Sequence, residues 1–149
     1  MQLVGFNFTK ISGERADKFT RAKVNADLQF LNIERQKLDI LKDDEAIKIF
    51  FRHSLTYDEE NLNQKAPEQK ENQKSEKKGE VLFEGNLLFS ATKEEIKNIT
   101  KSWKKKVLPK EIAVQAYNLI LKKCAPRAFQ LQDELGLPTH LRVPRLESK

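Results

Sequence analysis

The chain has 149 residues, 38% hydrophobic and 34% charged, which suffices for one domain with a core and leaves no apolar run long enough to span a membrane. A net charge of +6 and a pI near 9.4 permit acidic partners, nucleic acid included, without requiring one. Cys124 is the single cysteine, so an internal disulfide is excluded; this fits a reducing cytoplasm, and MQLVGFNFTK lacks the basic-then-apolar order of a signal peptide.

Gln2 to Ile11 reads as a strand, with Val4, Phe6 and Phe8 on one face. Ser12 to Asp17, SGERAD, reads as a turn. Val24 to Ile33 alternates through Val24, Ala26, Leu28 and Phe30, after which Leu31 and Ile33 put apolar groups on the polar side, as a bulge or a second contact would require. Glu45 to Tyr57 is the clearest strand: Ile47, Ile49, Phe51, His53, Leu55 and Tyr57 share one face, and Phe50 stands alone among polar residues on the other. The short Lys42–Asp44 connection predicts a hairpin between these two strands.

Asp58 to Gly79 contains one leucine and no aromatic residue, so it cannot offset its ordering entropy and is expected to be a flexible polar loop. Glu80 to Ser90 is a fourth strand, with Val81, Phe83, Leu87 and Phe89 alternating and Gly85 allowing a bend or close approach. Thr92 with Glu95 forms a capping box that opens a helix to about Lys105, with Ile96, Ile99 and Trp103 on one face.

Lys110 to Gly136 is the dominant element. Ile112, Ala113, Ala116, Tyr117, Leu119, Ile120 and Cys124 recur at helical spacing, continued by Ala128, Leu131 and Leu135. Pro109 suits a helix start, Gly136 a left-handed stop, and Pro126 is expected to kink the helix or split it. The 137–149 tail is expected to be extended by Pro138 and Pro144. Four strands followed by helices predict an α+β fold: a four-stranded, mostly antiparallel sheet with helices on one face, in a single domain over 1–149.

No catalytic constellation can be assembled. His53 lies in line with core residues, and two histidines and one cysteine at unrelated spacings make no metal site. There is no glycine-rich phosphate loop and no serine elbow. The chain is therefore expected to be no enzyme and to need no cofactor or metal. The basic cluster SWKKK, Ser102 to Lys106, with Lys101 and Lys110, could meet phosphates, but Trp103 falls on the apolar helical stripe rather than on a stacking platform. What remains is surplus apolar surface: Leu31, Ile33, Phe50, Leu82 and Leu88 on the strands, with Leu137, Leu141 and Val143 in the tail. Such surface marks an interaction site or an oligomer interface.

EVLFEGNLLFSATKEE, then VLPKEIAVQAYNLILKKC, then GLPTHLRVPRL, in that order, resemble the SecB-like export chaperones, in an archaeal-type branch. Gly136-Leu137-Pro138, Leu141, Val143 and Pro144 stand where that family carries an apolar, proline-rich crossover. The resemblance covers most of residues 80–146, and the three strands before it fit the family order. The chain departs from the family in being basic and in having no counterpart of its final helix. The resemblance implies dimers or tetramers built through strands and long helices, and ATP-independent holding of unfolded or precursor polypeptides. On that reading a client groove is expected between the tail and the sheet, near Phe50 and Leu137, with Leu31, Ile33, Leu82, Leu88, Leu141 and Val143 as further walls. The alternatives are a basic nucleic-acid-binding protein and an oligomeric adaptor for one fixed protein partner.

Overall fold

A computed structural model describes residues 2–19, 22–37, 45–59 and 77–141. Four strands form one sheet: β1 (Gln2–Arg15), β2 (Ala22–Gln36), β3 (Glu45–Glu59) and β4 (Lys77–Ala91). Two helices follow, α1 (Lys93–Trp103) and α2 (Lys110–Leu135). The sheet order is β1-β4-β3-β2 and every neighbouring pair is antiparallel. This is a Greek-key order, in which the first strand returns to pair with the last. The architecture is the α+β layer expected from the element order.

Strict alternation makes β3 and β4 the centre of the sheet. Ile47, Ile49, Phe51, Leu55 and Tyr57 of β3, and Val81, Phe83, Leu87 and Phe89 of β4, are fully buried on the face that carries the helices. Burial of each large side chain is worth about 2–3 kcal/mol. Ala116, Ile120, Cys124 and Ala128 of α2 cover them, four residues apart and mostly small, so the helix can lie close. Ile96 and Ile99 of α1 and Leu108 of the connection close the rest of the layer.

Gly85 sits at the crowded point of this sheet. A Cβ there would lie 2.2 Å from the Asn7 carbonyl oxygen and 3.1 Å from the Phe51 ring. Glycine therefore lets β1 and an aromatic ring approach the same backbone position. Phe6 lies 5.5 Å from Phe51 and Phe8 lies 5.8 Å from Phe83, ring centre to ring centre, which extends the core onto the edge strand.

Bulges correct the parity read from sequence in two strands. The β1–β4 register shifts between Leu3 and Gly5, so Leu3 joins Phe6 and Phe8 on the core while Val4 is 49% exposed. The expected bulge in β2 lies between Phe30 and Asn32, and it turns Ile33 inward opposite Ile49. Ser12 to Arg15, read as a turn, continue β1 against Leu82 to Gly79. Lys77 to Gly79, assigned to the polar loop, begin β4, and Ala16 donates its N–H to the Lys78 carbonyl at 2.8 Å. Asp58 and Glu59, also assigned to that loop, end β3 in pairing with β2. Residues 60–76 of the loop and the Lys42–Asp44 connection lie outside the described residues.

The Thr92–Glu95 capping box is present, with the Glu95 N–H 3.3 Å from the Thr92 hydroxyl oxygen. α2 runs as one 26-residue helix through Pro126, so the proline does not split it. Pro126 is exposed, where its ring and missing N–H face water rather than the sheet. Gly136 ends the helix at φ 65, and Leu137 donates its N–H to the Gln132 carbonyl at 2.8 Å.

Candidate functional site

The residues singled out in the sequence fall into separate places. Phe50, Leu82 and Leu88 are half-buried on the sheet face away from the helices, where Phe50 pairs across strands with Asn86 and Asn32. The Lys48 ammonium lies 5.5 Å from the Phe50 ring centre, and Arg52 pairs with Glu84 at 2.8 Å one row along. Leu31 is the bulge residue of β2 and is 40% exposed. Ile33 packs on the core, and Leu137, 6% exposed, belongs to the core itself. Leu141 is 50% exposed, and Val143 lies outside the described residues.

The groove expected near Phe50 and Leu137 is therefore not assembled, because the sheet stands between them. Two causes are visible. The bulge reverses Ile33, and the first residues of the tail, Leu137 and Pro138, are held on the helix side. Tyr57 donates its hydroxyl to the Pro138 carbonyl at 2.7 Å, and the Leu137 methyl fills the space that a Cβ on Gly79 would take, 3.1 Å away.

A different apolar surface lies at the other edge. Val114, Tyr117 and Leu121 are 51%, 37% and 44% exposed, and their spacing of three and four places them on one stripe of α2. Tyr117 joins this stripe to β2: its hydroxyl donates to the Leu28 carbonyl at 3.3 Å, and its ring meets Phe30 edge-on at 5.1 Å. Leu31 follows Phe30 directly. β2 is a terminal strand of the sheet, as β1 is at the opposite edge, so half of its backbone donors and acceptors have no strand partner among the described residues. Apolar side chains and open backbone groups are thus presented together.

The sequence did carry a signal for this stripe. Within Ile112 to Leu121 the apolar residues, Val114 and Leu121 included, wrap more than half the helix circumference. A helix with one sheet to cover needs fewer, so part of that apolar surface had to remain outside. The helical pattern read from the sequence included Tyr117 but left out Val114 and Leu121.

The polar groups of the interior serve structure. His53 is buried, stacks on Phe83 and holds the Asp27 carbonyl at 2.9 Å, so the proton is on its Nδ1. Burial holds its pKa below the usual histidine value. Gln132 is fully buried; its Nε2 donates to the Tyr57 hydroxyl at 2.8 Å and to His140 Nδ1 at 3.0 Å. Burial and the nearby His53 lower the His140 pKa, and burial raises that of Tyr57. Burial pushes the Cys124 thiol up to about 12, which leaves it protonated and unreactive at neutral pH. Among the described residues no three His, Cys, Asp or Glu side chains converge in a way that could hold a metal ion. No described helix is long and apolar enough to cross a membrane.

No family model and no curated protein sequence matches the chain. Among solved structures it is similar to a SecB-like chaperone from Mycobacterium tuberculosis, solved in complex with a ChAD peptide from the HigA1 antitoxin. The match covers 99% of this chain and 91% of that one, at 13% identity and a TM-score of 0.44.

Proposed function

We propose that the chain is a non-enzymatic chaperone that holds unfolded polypeptides, without ATP or any other cofactor, as a homo-oligomer in the cytoplasm. One arrangement carries this reading: the exposed stripe Val114, Tyr117 and Leu121 beside the open edge of β2. An unfolded chain offers exposed apolar side chains and unpaired backbone groups at once. A strand edge takes the backbone without regard to sequence, and an adjacent apolar stripe takes side chains of varied shape. The tyrosine between them provides an aromatic wall with a polar tip, suited to a surface that is bare in one state and covered in another. The resemblance of residues 80–146 to SecB-like export chaperones suggests proteins awaiting export as one class of client.

The test is dilution of a chemically denatured client into buffer containing this protein and no nucleotide. Suppression of light scattering at near-stoichiometric ratio is the expected result. Unchanged aggregation at a several-fold excess would exclude the holding role.

A further inference from the structure

We propose that the corner where α1 meets α2 is a docking site for an acidic polypeptide segment carrying an apolar side chain. Between Ile96 and Lys110 the chain has six lysines, Lys97, Lys101, Lys104, Lys105, Lys106 and Lys110, and no aspartate or glutamate. With Glu95 and Glu111 at its two ends, the stretch 95–111 carries a net +4 of the protein's +6, so most of the excess positive charge lies at this corner. All six side chains are exposed, and none forms an ion pair with a described residue. Elsewhere the exposed basic residues Arg35 and Arg52 do have carboxylate partners, Glu45 and Glu84.

The corner also has an apolar centre. Lys101, Ser102, Lys105 and Val107 line an open recess of about 350 Å³ whose walls are mostly apolar. Val107 is 61% exposed, the barest large hydrophobic residue among those described, while its neighbour Leu108 is buried. Lys106, at the turn into this segment, adopts φ 60, a conformation that glycine or asparagine would take at less cost. The chain thus keeps a lysine where local backbone energetics favour another residue. α2 begins without a side-chain cap, so the positive end of its dipole faces the same corner, with Glu111 the single acidic residue of its first turn.

This chemistry selects a peptide over a nucleic acid. Trp103 is half-buried and packed against the core, and the Lys106 ammonium lies 5.4 Å from its ring centre, so the indole is not a bare platform for a base. Val107 at the centre of the recess gives nothing to a phosphate but suits a leucine or valine side chain, and Lys101 and Lys105 beside it suit flanking carboxylates. Lysine, a flexible point charge, pairs with carboxylates at varied spacing. The site does not depend on the holding role.

The experiment measures fluorescence anisotropy of a labelled twelve-residue peptide of alternating glutamates and aspartates around one central leucine. Its controls are the same peptide with glutamine and asparagine in place of the acids, the same peptide with serine for leucine, and a twelve-nucleotide oligo-dT. The acidic leucine peptide is expected to bind, and each peptide control to bind more weakly. Lys101→Gln with Lys105→Gln is expected to weaken binding roughly fivefold, while Lys122→Gln with Lys123→Gln, an equal charge change away from the corner on α2, alters it less than about twofold. Val107→Ser is expected to weaken the leucine peptide and leave the serine peptide unchanged. Equal weakening by both lysine pairs would reduce the effect to net charge, and tighter binding of oligo-dT than of the peptide would assign the corner to nucleic acid; either result overturns the proposal. Unchanged melting temperatures keep the comparison valid, since all four lysines are exposed.

Discussion

The Tyr57 hydroxyl, near the end of β3, donates to the Pro138 carbonyl at 2.7 Å and so ties the segment after α2 to the centre of the sheet. The same oxygen accepts from Gln132 Nε2, and Gln132 in turn donates to His140. A phenylalanine at position 57 would fill the same volume and remove both bonds, leaving one Gln132 proton and the Pro138 carbonyl without partners. Tyr57→Phe is expected to cost about 1–3 kcal/mol of stability. Urea unfolding measures this, and amide exchange at Leu137 should rise with it. A loss below a few tenths of a kcal/mol would mean that the tail is held by Leu137 packing alone.

The two histidines give stability a defined pH dependence. His53 and His140 both have folded pKa values lowered from the usual 6.5. The unfolded chain therefore takes up protons first as pH falls. Their contribution to stability is complete above about pH 7, declines once pH drops below the unfolded value, and stops declining below the folded values. Protonation also removes the lone pair with which His140 Nδ1 accepts from Gln132. Unfolding midpoints in urea from pH 7.5 to 5 should fall, above the range in which carboxylates titrate. His140→Asn should flatten part of that fall. A flat profile in the unaltered protein would mean that neither histidine is depressed in the folded state.

Glycines in the sheet separate two mechanisms. At Gly85 an added Cβ meets the Asn7 backbone oxygen at 2.2 Å, which only a shift of β1 can relieve. At Gly5 the nearest atom is the Leu88 Cβ at 3.8 Å, an ordinary contact. Gly85→Ala is expected to destabilise by about 2–4 kcal/mol, whereas Gly5→Ala should be neutral or stabilise by about 0.5 kcal/mol through the unfolded chain. Thermal melts of the pair check both signs together.

β3 was legible because a buried central strand must alternate, and Ile47 to Tyr57 do so without interruption. The capping box at Thr92 and the stop at Gly136 were legible for the same reason: each is a local requirement of backbone hydrogen bonding. In β2, Leu31 and Ile33 broke the pattern, which allowed a bulge or a second contact, and the pattern could not say which of them turns inward. In β1, Val4 and Leu3 are both apolar, and only pairing with Phe89 of β4 assigns Leu3 to the core. The groove assignment failed at a longer range. Phe50 and Leu137 are separated by the sheet, a relation fixed by the tail's hydrogen bond to Tyr57 and by no spacing in the sequence.

Removing the Pro126 ring offers a check on α2. Proline there deprives the Lys122 carbonyl of the helical donor it would have, on the exposed side of the helix. Pro126→Ala restores that donor and is expected to stabilise by about 1–2 kcal/mol, less than the full helix-interior penalty of proline because the unfolded chain also gains freedom. A higher melting temperature with unchanged mass is the expected observation. A lower one would mean that the helix needs the bend that a proline imposes.

The final prediction sets the two apolar surfaces against each other. On the α2–β2 surface, Val114→Ser with Leu121→Ser removes two exposed apolar groups and leaves Tyr117 in place to hold Phe30 and Leu28. On the opposite sheet face, Phe50→Ser with Leu88→Ser removes two half-buried groups flanking Asn86. Truncating exposed side chains costs little folding stability, so the first pair should unfold within a few degrees of the parent, while the second, being half-buried, should lose about 1–3 kcal/mol. Holding of a denatured client should fall severalfold for the first pair and stay near the parent value for the second. Sedimentation of both variants at micromolar concentration separates holding from assembly. A parent species heavier than the 17.3 kDa chain is expected. If the first pair keeps its mass and loses holding, clients lie on α2 and the β2 edge. If it dissociates to monomers and still holds clients, that surface joins subunits and the client site lies elsewhere. If the second pair alone loses holding at unchanged mass, clients lie on the Phe50 face, and the α2 stripe is not the client site.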